Sequence, residues 1–160
     1  MKLSHLDESG QARMVDVGHK AVTERIAVAR GAVTMQPETL QLIQAGQIKK
    51  GDVFTVAQLA GVMAAKQTSS LIPLCHPLPL NHVSVTCTAN PAENRVDIEA
   101  TVRVSGKTGV EMEALTAVTL AGLTIYDMAK AVDRSMQLTN VHLVRKSGGQ
   151  SGDWQLPTGS

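Results

Sequence analysis

Three stretches of the chain alternate apolar and polar residues with a period of two, and two stretches repeat at helical spacing. In residues 24–35, Ile26, Val28 and Arg30 alternate with Ala27 and Ala29, and Gly31-Ala32-Val33-Thr34-Met35 continues the run. This predicts a strand, with Arg25 and Arg30 on opposite faces because an odd number of residues separates them. In residues 81–90, Val83, Val85, Cys87 and Ala89 alternate with Ser84, Thr86 and Thr88. In residues 95–107, Val96, Ile98, Ala100, Val102 and Val104 point one way, and Asp97, Glu99, Thr101 and Arg103 the other. Pro91-Ala92-Glu93-Asn94 between them reads as a turn, so the pair is an antiparallel hairpin and Cys87 belongs to its apolar face.

The helical segments have readable ends. Pro37 opens a short helix, Glu38 sits in its first turn, Leu40 and Ile43 follow, and Gly46 ends it. Asp52 is a natural N-cap for a second helix whose inner face is Val53, Val56, Ala57, Ala60, Gly61 and Ala64. A glycine inside that helix asks for a packing reason. Residues 109–133 form a long helix, and residues 136–144, with Leu138, Val141 and Leu143, a last strand. The order strand, helix, helix, strand, strand, helix, strand is the split βαβ pattern of ferredoxin-like folds. The expected fold is α+β: an antiparallel sheet with helices on one face and an extra helix in the first crossover. A single domain over 1–160 is expected, with residues 1–21 as an extended, weakly ordered arm (a short strand at Met14-Val15-Asp16-Val17) and residues 146–160 as a flexible glycine-rich tail. The bare sheet face requires solvent or another subunit.

Composition narrows the function. Apolar residues make up 43% but aromatics only 2%, so the core is built from Val, Leu, Ile, Ala and Met. A net charge of +1 argues against a nucleic-acid surface, though it leaves room for local cations around a small anion. No long apolar run marks a signal peptide or a membrane span. Two cysteines, 75 and 87, make no disulfide framework, and a reduced, cytoplasmic protein is expected.

The least ordinary stretch is Leu71-Ile72-Pro73-Leu74-Cys75-His76-Pro77-Leu78-Pro79-Leu80. Its three prolines exclude helix and stiffen the backbone. An apolar, stiff segment presenting a thiol and an imidazole suits a pocket wall, although a buried connector with a satisfied histidine fits as well. Cys75 and His76 are chain neighbours, poorly placed for mutual proton transfer, so His76 as a hydrogen-bonding or acid–base group is the more economical reading. A zinc site from Cys75, His76, His82 and Cys87 lacks regular ligand spacing. Ser105-Gly106-Lys107-Thr108 resembles a phosphate-binding loop only at its end, since Thr101 stands where the motif needs glycine. Lys107 remains a candidate anion contact.

Lys49-Lys50 precedes a helix start, where an anion is favoured, but reads equally as a solvated loop. Glu111 and Glu113 in a first turn are ordinary dipole partners. Asp127 and Lys130 are neighbours at i, i+3 in an otherwise apolar stretch of the long helix, where they form either a plain ion pair or an acid–base couple. Glu113 and Asp127 lie 14 residues apart on that helix. They project to nearly the same side but ~21 Å apart. One compact pocket in one chain would hardly use both.

Taken together and in order, Leu74-Cys75-His76-Pro77-Leu78, Lys50-Gly51-Asp52-Val53, the run from Lys107-Thr108-Gly109-Val110-Glu111-Met112-Glu113 to Thr116, Tyr126-Asp127-Met128-Ala129-Lys130 and Lys146-Ser147-Gly148-Gly149 resemble the cyclic pyranopterin monophosphate synthases, also called molybdenum cofactor biosynthesis protein C. The resemblance runs from Met14 to Asp153. It implies conversion of a cyclised guanosine triphosphate derivative to cyclic pyranopterin monophosphate with loss of diphosphate, with no redox cofactor and with magnesium left open. It implies Asp127 and Lys130 as an acid–base pair, Lys50 as a second proton donor or a phosphate ligand, Leu74, Cys75 and His76 as the pocket wall, and Glu111, Met112 and Glu113 facing it to hold the guanine-derived ring. Arg25, Lys107 and Lys146 are then the phosphate contacts. The family's homohexamer, a trimer of dimers with sites between subunits, agrees with the Glu113–Asp127 separation. A non-catalytic protein that holds the pterin precursor for another enzyme is the alternative.

Overall fold

A computed structural model describes residues 5–158. The elements in chain order are β1 (Thr23–Thr34), α1 (Pro37–Gln44), α2 (Val53–Lys66), α3 (Thr68–Leu71), β2 (His82–Asn90), β3 (Arg95–Gly106), α4 (Glu111–Ala129), β4 (Gln137–Ser147) and β5 (Trp154–Gln155). The sheet order is β2-β3-β1-β4-β5, with every pair antiparallel. The first four strands therefore have the ferredoxin-like split arrangement, with α1, α2 and α3 between β1 and β2 and α4 returning the chain to β4. The β2–β3 turn is a 3₁₀ helix, Pro91–Glu93, closed by Asn94 at φ 48°.

Helices α2 and α4 pack on one face. The core between them and the sheet is Ala, Val, Ile and Leu, including Ala27, Ala29, Val33, Ile98, Val102, Val118 and Ile125. Alternation buries one face of β3, whereas β1 is buried on both faces over Ala27–Ala29 and again over Gly31–Val33. Gly61 has its packing reason: a Cβ there would stand 3.0 Å from the Ala117 carbonyl and 3.0 Å from Val85 Cγ2. That close approach narrows the inner stripe of α2. Val53, Ala57, Gly61, Ala64 and Ala65 are buried, whereas Val56, expected inside, is 41% exposed. Asp52 caps α2 as predicted, accepting from the Thr55 backbone N–H at 3.2 Å.

The α4–β4 turn is tied to α1 by Asp133, which is buried. Its carboxylate accepts from Gln36 N at 2.9 Å, Thr39 Oγ1 at 3.0 Å and Ser135 N at 2.9 Å. Burial pushes its pKa up, but these hydrogen bonds outweigh burial and hold it below the usual carboxylate range.

Both chain ends differ from expectation. The arm folds at its start as a tight hairpin, with Leu6 bridged to Ala12, and Met14–Val17 pairs with no strand. At the other end β4 runs three residues further than the side-chain pattern shows. Residues beyond it turn back so that Lys146 pairs with Trp154 and Arg145 with Gln155. The turn depends on Gly148, at φ +89°, where any Cβ would collide with the Glu24 carbonyl. The sheet face away from the helices is a shallow hollow of about 820 Å³ that includes Arg30, Thr86, Thr88, Glu99, Asn140 and His142. Arg30 and Glu99 are cross-strand partners there, paired at 2.7 Å.

Candidate active site

The proline-stiffened segment does form a wall. After α3 ends at Leu71, the chain turns, with Cys75 N bonded to the Ile72 carbonyl at 3.1 Å, and runs extended to Leu80. Opposite it lies the start of α4. Leu74, Cys75 and His76 meet Glu111, Met112 and Glu113 around a cavity of about 280 Å³. Six residues that the sequence marks for ring binding are thus brought together. The arm supplies the third side: His5, Val15, Val17 and Lys20 also line this cavity. Sequence reasoning missed all four, and the available signal was turn chemistry at Asp7-Glu8-Ser9-Gly10 rather than hydrophobic pattern.

His76 is held by the arm. Its Nε2 lies 2.6 Å from the Val15 carbonyl oxygen. A carbonyl only accepts, so Nε2 carries the proton and donates. Lys107 makes a second tie to the arm, donating to the Gly18 carbonyl at 3.1 Å.

Glu113 is not an ordinary dipole partner. It is 4% exposed, and burial pushes its pKa up to about 7. Its own backbone N–H works against this, and the Glu111 carboxylate adds to the rise. Near neutral pH the pocket therefore contains a carboxyl that can hold its proton and act as a hydrogen-bond donor. Burial, and then the nearby Glu113, also push the Cys75 thiol up. The thiolate is the nucleophile, so this cysteine is chemically quiet. Cys75→Ser is expected to keep turnover within about tenfold, since only a thiol-to-hydroxyl exchange in the wall is made. Complete loss of activity with intact ligand binding would show that the thiol takes part. Cys87, by contrast, packs against the core, and burial raises it to about 12. Among the described residues no group of three or more His, Cys, Asp or Glu is placed to hold a metal ion, so Cys75, His76, His82 and Cys87 do not converge.

Arg25, Lys107 and Lys146 gather at one end of the sheet. Arg25 Nε donates to the Gly106 carbonyl at 3.1 Å, next to Lys107. Lys146 pairs with Ala27, so it shares a face with Arg25 one step along the strand. Its ammonium reaches Ser151 in the tail, and Gly149 lies directly against the Arg25 guanidinium. Lys107 is followed by Thr108 and Gly109, which line the Glu113 cavity. Lys107 is therefore the chain neighbour of the pocket lining, and Arg25 is tied to it through Gly106.

The third group stands apart. Asp127 accepts from Lys130 Nζ at 2.8 Å and from Lys50 Nζ at 3.0 Å. Lys50 also donates to the Asp127 backbone carbonyl at 3.1 Å. All three side chains are about half exposed, at the C-terminal end of α4. Ala121, Ile125, Met128 and Ala129 face the core, whereas Leu123, one turn before Asp127, is exposed like the trio. The Lys130 hydrogen bond, and then that of Lys50, hold the Asp127 carboxyl below the usual range. Asp127 is thus a fixed anion between two ammonium groups. It is separated from the Glu113 pocket by the length of α4, ~21 Å along the axis.

Comparison with known proteins closes the question of kinship. A family model described as the MoaC family matches residues 14–149. The chain belongs to the MoaC family. It is 65% identical to a cyclic pyranopterin monophosphate synthase of Chloroflexus aurantiacus over 156 residues, covering 98% of this chain and 96% of the relative. It is 63% identical to the synthase of Pelotomaculum thermopropionicum over 94% of this chain and 88% of that one, and 59% identical to that of Cereibacter sphaeroides over 96% of both. The MoaC match begins at Met14, where the arm leaves its hairpin, and ends at Gly149, beside Arg25.

Proposed function

We propose that this MoaC-family chain is a cyclic pyranopterin monophosphate synthase acting in molybdenum cofactor biosynthesis. The observation that carries the reading is its 65% identity, across 98% of its length, to a protein named for that activity. The geometry supports it. The substrate is the (8S)-3′,8-cyclo-7,8-dihydro derivative of guanosine 5′-triphosphate. Its ring sits in the cavity between the proline-stiffened wall and α4, with Glu113 and Met112 against it. Its triphosphate extends to Arg25, Lys107 and Lys146. Asp127, Lys130 and Lys50 move the protons of ring opening and re-closure. A sugar hydroxyl then attacks the α-phosphorus, the bond to the β-phosphate breaks, and diphosphate leaves with its charge met by the cations. In reaction class this is a phosphorus–oxygen lyase. It uses no redox cofactor, and any magnesium enters with the triphosphate. Among the described residues no helix is long and apolar enough to cross a membrane. We place the enzyme in the cytoplasm, as a homohexamer built as a trimer of dimers.

The decisive assay is incubation of purified protein with the cyclised triphosphate, followed by detection of diphosphate and of a fluorescent pterin derivative. Binding without either product would favour a non-catalytic carrier of the precursor. The separation of the two ends of α4 gives a second test. If one chain's Glu113 pocket is completed by another chain's Asp127 trio, mixing Glu113→Ala and Asp127→Ala proteins restores part of the lost activity. Verified mixed oligomers that stay inactive would place each site within one chain.

A further inference from the structure

His5 of the arm has no part in the chemistry above. His5 lines the same 280 Å³ space as Glu113, from the opposite, arm side. Its backbone position is fixed by the hairpin: the His5 carbonyl accepts from Arg13 N at 2.8 Å, and Leu6 is bridged to Ala12. The turn between them is held by Asp7, whose carboxylate accepts from Ser9 N and Gln11 N, both at 2.9 Å. Gly10 supplies the positive φ of +80° that closes it. None of this needs an imidazole. The His5 side chain is exposed, and no hydrogen bond holds its ring among the described residues. The pocket's other imidazole is occupied, since His76 Nε2 donates to Val15.

We infer that His5 is a substrate-contacting residue of this site, delivered by the N-terminal hairpin to hydrogen-bond the nucleotide-derived ring across the cavity from Glu113. The chemistry suits the place. A guanine-derived ring presents donors and acceptors along its edges. Lys20, the other polar arm residue in the cavity, only donates and suits an anion. A neutral imidazole has one donor and one acceptor, which neither the lysine nor a carboxylate supplies. The inference rests on the proposed substrate.

The test compares the unsubstituted chain with His5→Ala, with Asp7→Ala and with the double variant, using His82→Ala as a surface control. Binding of the cyclised triphosphate and its turnover are measured side by side. His5→Ala is expected to weaken binding, kcat/KM or both by about 10–100-fold, the effect of one lost hydrogen bond to a ligand, with an unchanged melting temperature. Free imidazole is expected to restore part of the turnover of His5→Ala but not that of Asp7→Ala. Asp7→Ala, which loosens the hairpin, loses less, and adds nothing on top of His5→Ala because both act through one side chain. Binding and turnover within twofold of the unsubstituted chain in His5→Ala would overturn the inference. If the unsubstituted chain binds but makes no product, the enzymatic reading falls, and the affinity ratio still decides the contact. No binding by the unsubstituted chain overturns both.

Discussion

Asp127→Ala and Lys130→Ala are each expected to lower cyclic pyranopterin monophosphate formation by about 10²–10⁴-fold, the usual contribution of positioned proton-transfer groups. Both proteins are expected to fold normally. The trio is half exposed, and ion pairs so open to solvent contribute too little to unfold a chain with so continuous a core. Asp127 holds two ammonium groups at once, at 2.8 and 3.0 Å. Removing it frees both, so the Asp127→Ala/Lys130→Ala double variant is expected to be little worse than either single one. The hydrogen bonds from Lys130 and Lys50 hold the Asp127 carboxyl below the usual range, which suits it to accept rather than donate a proton. The measurement is single-turnover product formation beside a thermal melt. Near-normal rates in both single variants would sink the assignment.

The second large effect is on stability and its pH dependence. Glu113 ionises near 4.5 when unfolded and near 7 in the folded chain, because burial disfavours its charge. Between those values the folded state holds the proton more tightly than the unfolded state. Stability therefore falls as pH rises from about 4.5 to 7, by up to about 3 kcal/mol. Glutamine resembles the protonated carboxyl and never ionises. Glu113→Gln is thus expected to match the unsubstituted chain at pH 5 and to exceed it at pH 8, read as the difference in urea midpoints. Taking the difference removes the opposing acid-side contributions of Asp127 and Asp133, whose pKa values are lowered. Equal midpoints at pH 8 would mean that the carboxylate is better solvated than its burial implies.

Strand β3 and the long helices were legible because each has one buried face, which in β3 writes itself into side-chain alternation; β1, enclosed on both faces, was legible through its run of small and β-branched residues. Val96, Ile98, Ala100, Val102 and Val104 could be read in no other register. The six residues of the wall and of the start of α4 were legible through proline chemistry and motif order, and the structure brings them together around one cavity. What stayed hidden involved the main chain. The β4–β5 pairing joins backbone groups at Lys146 and Trp154, and the tail turns at a glycine that only its collision with Glu24 explains. The arm is tied to the rest of the site through two carbonyls, those of Val15 and Gly18, and backbone carbonyls carry no side-chain pattern. Glu113 shows a different limit. A glutamate in a first turn is ordinary, and only the wall packed over it makes it a neutral-range acid. Val56 shows the same in reverse, since the tight approach at Gly61 set how wide the buried stripe could be.

The position of β1 in the sheet has a consequence for the order of assembly. It is the first strand to be made, yet both of its neighbours come late: Thr23 pairs with Gly106, and Ile26 with Ser147. The β2–β3 hairpin and α4 can form from nearby residues, whereas β1 must wait for partners across most of the chain. Its run of alanines, valines and isoleucine therefore stays unpaired during synthesis, a state in which nascent chains depend on chaperones and stick to one another. The strand that ends as the most enclosed element of the sheet begins as its most vulnerable one.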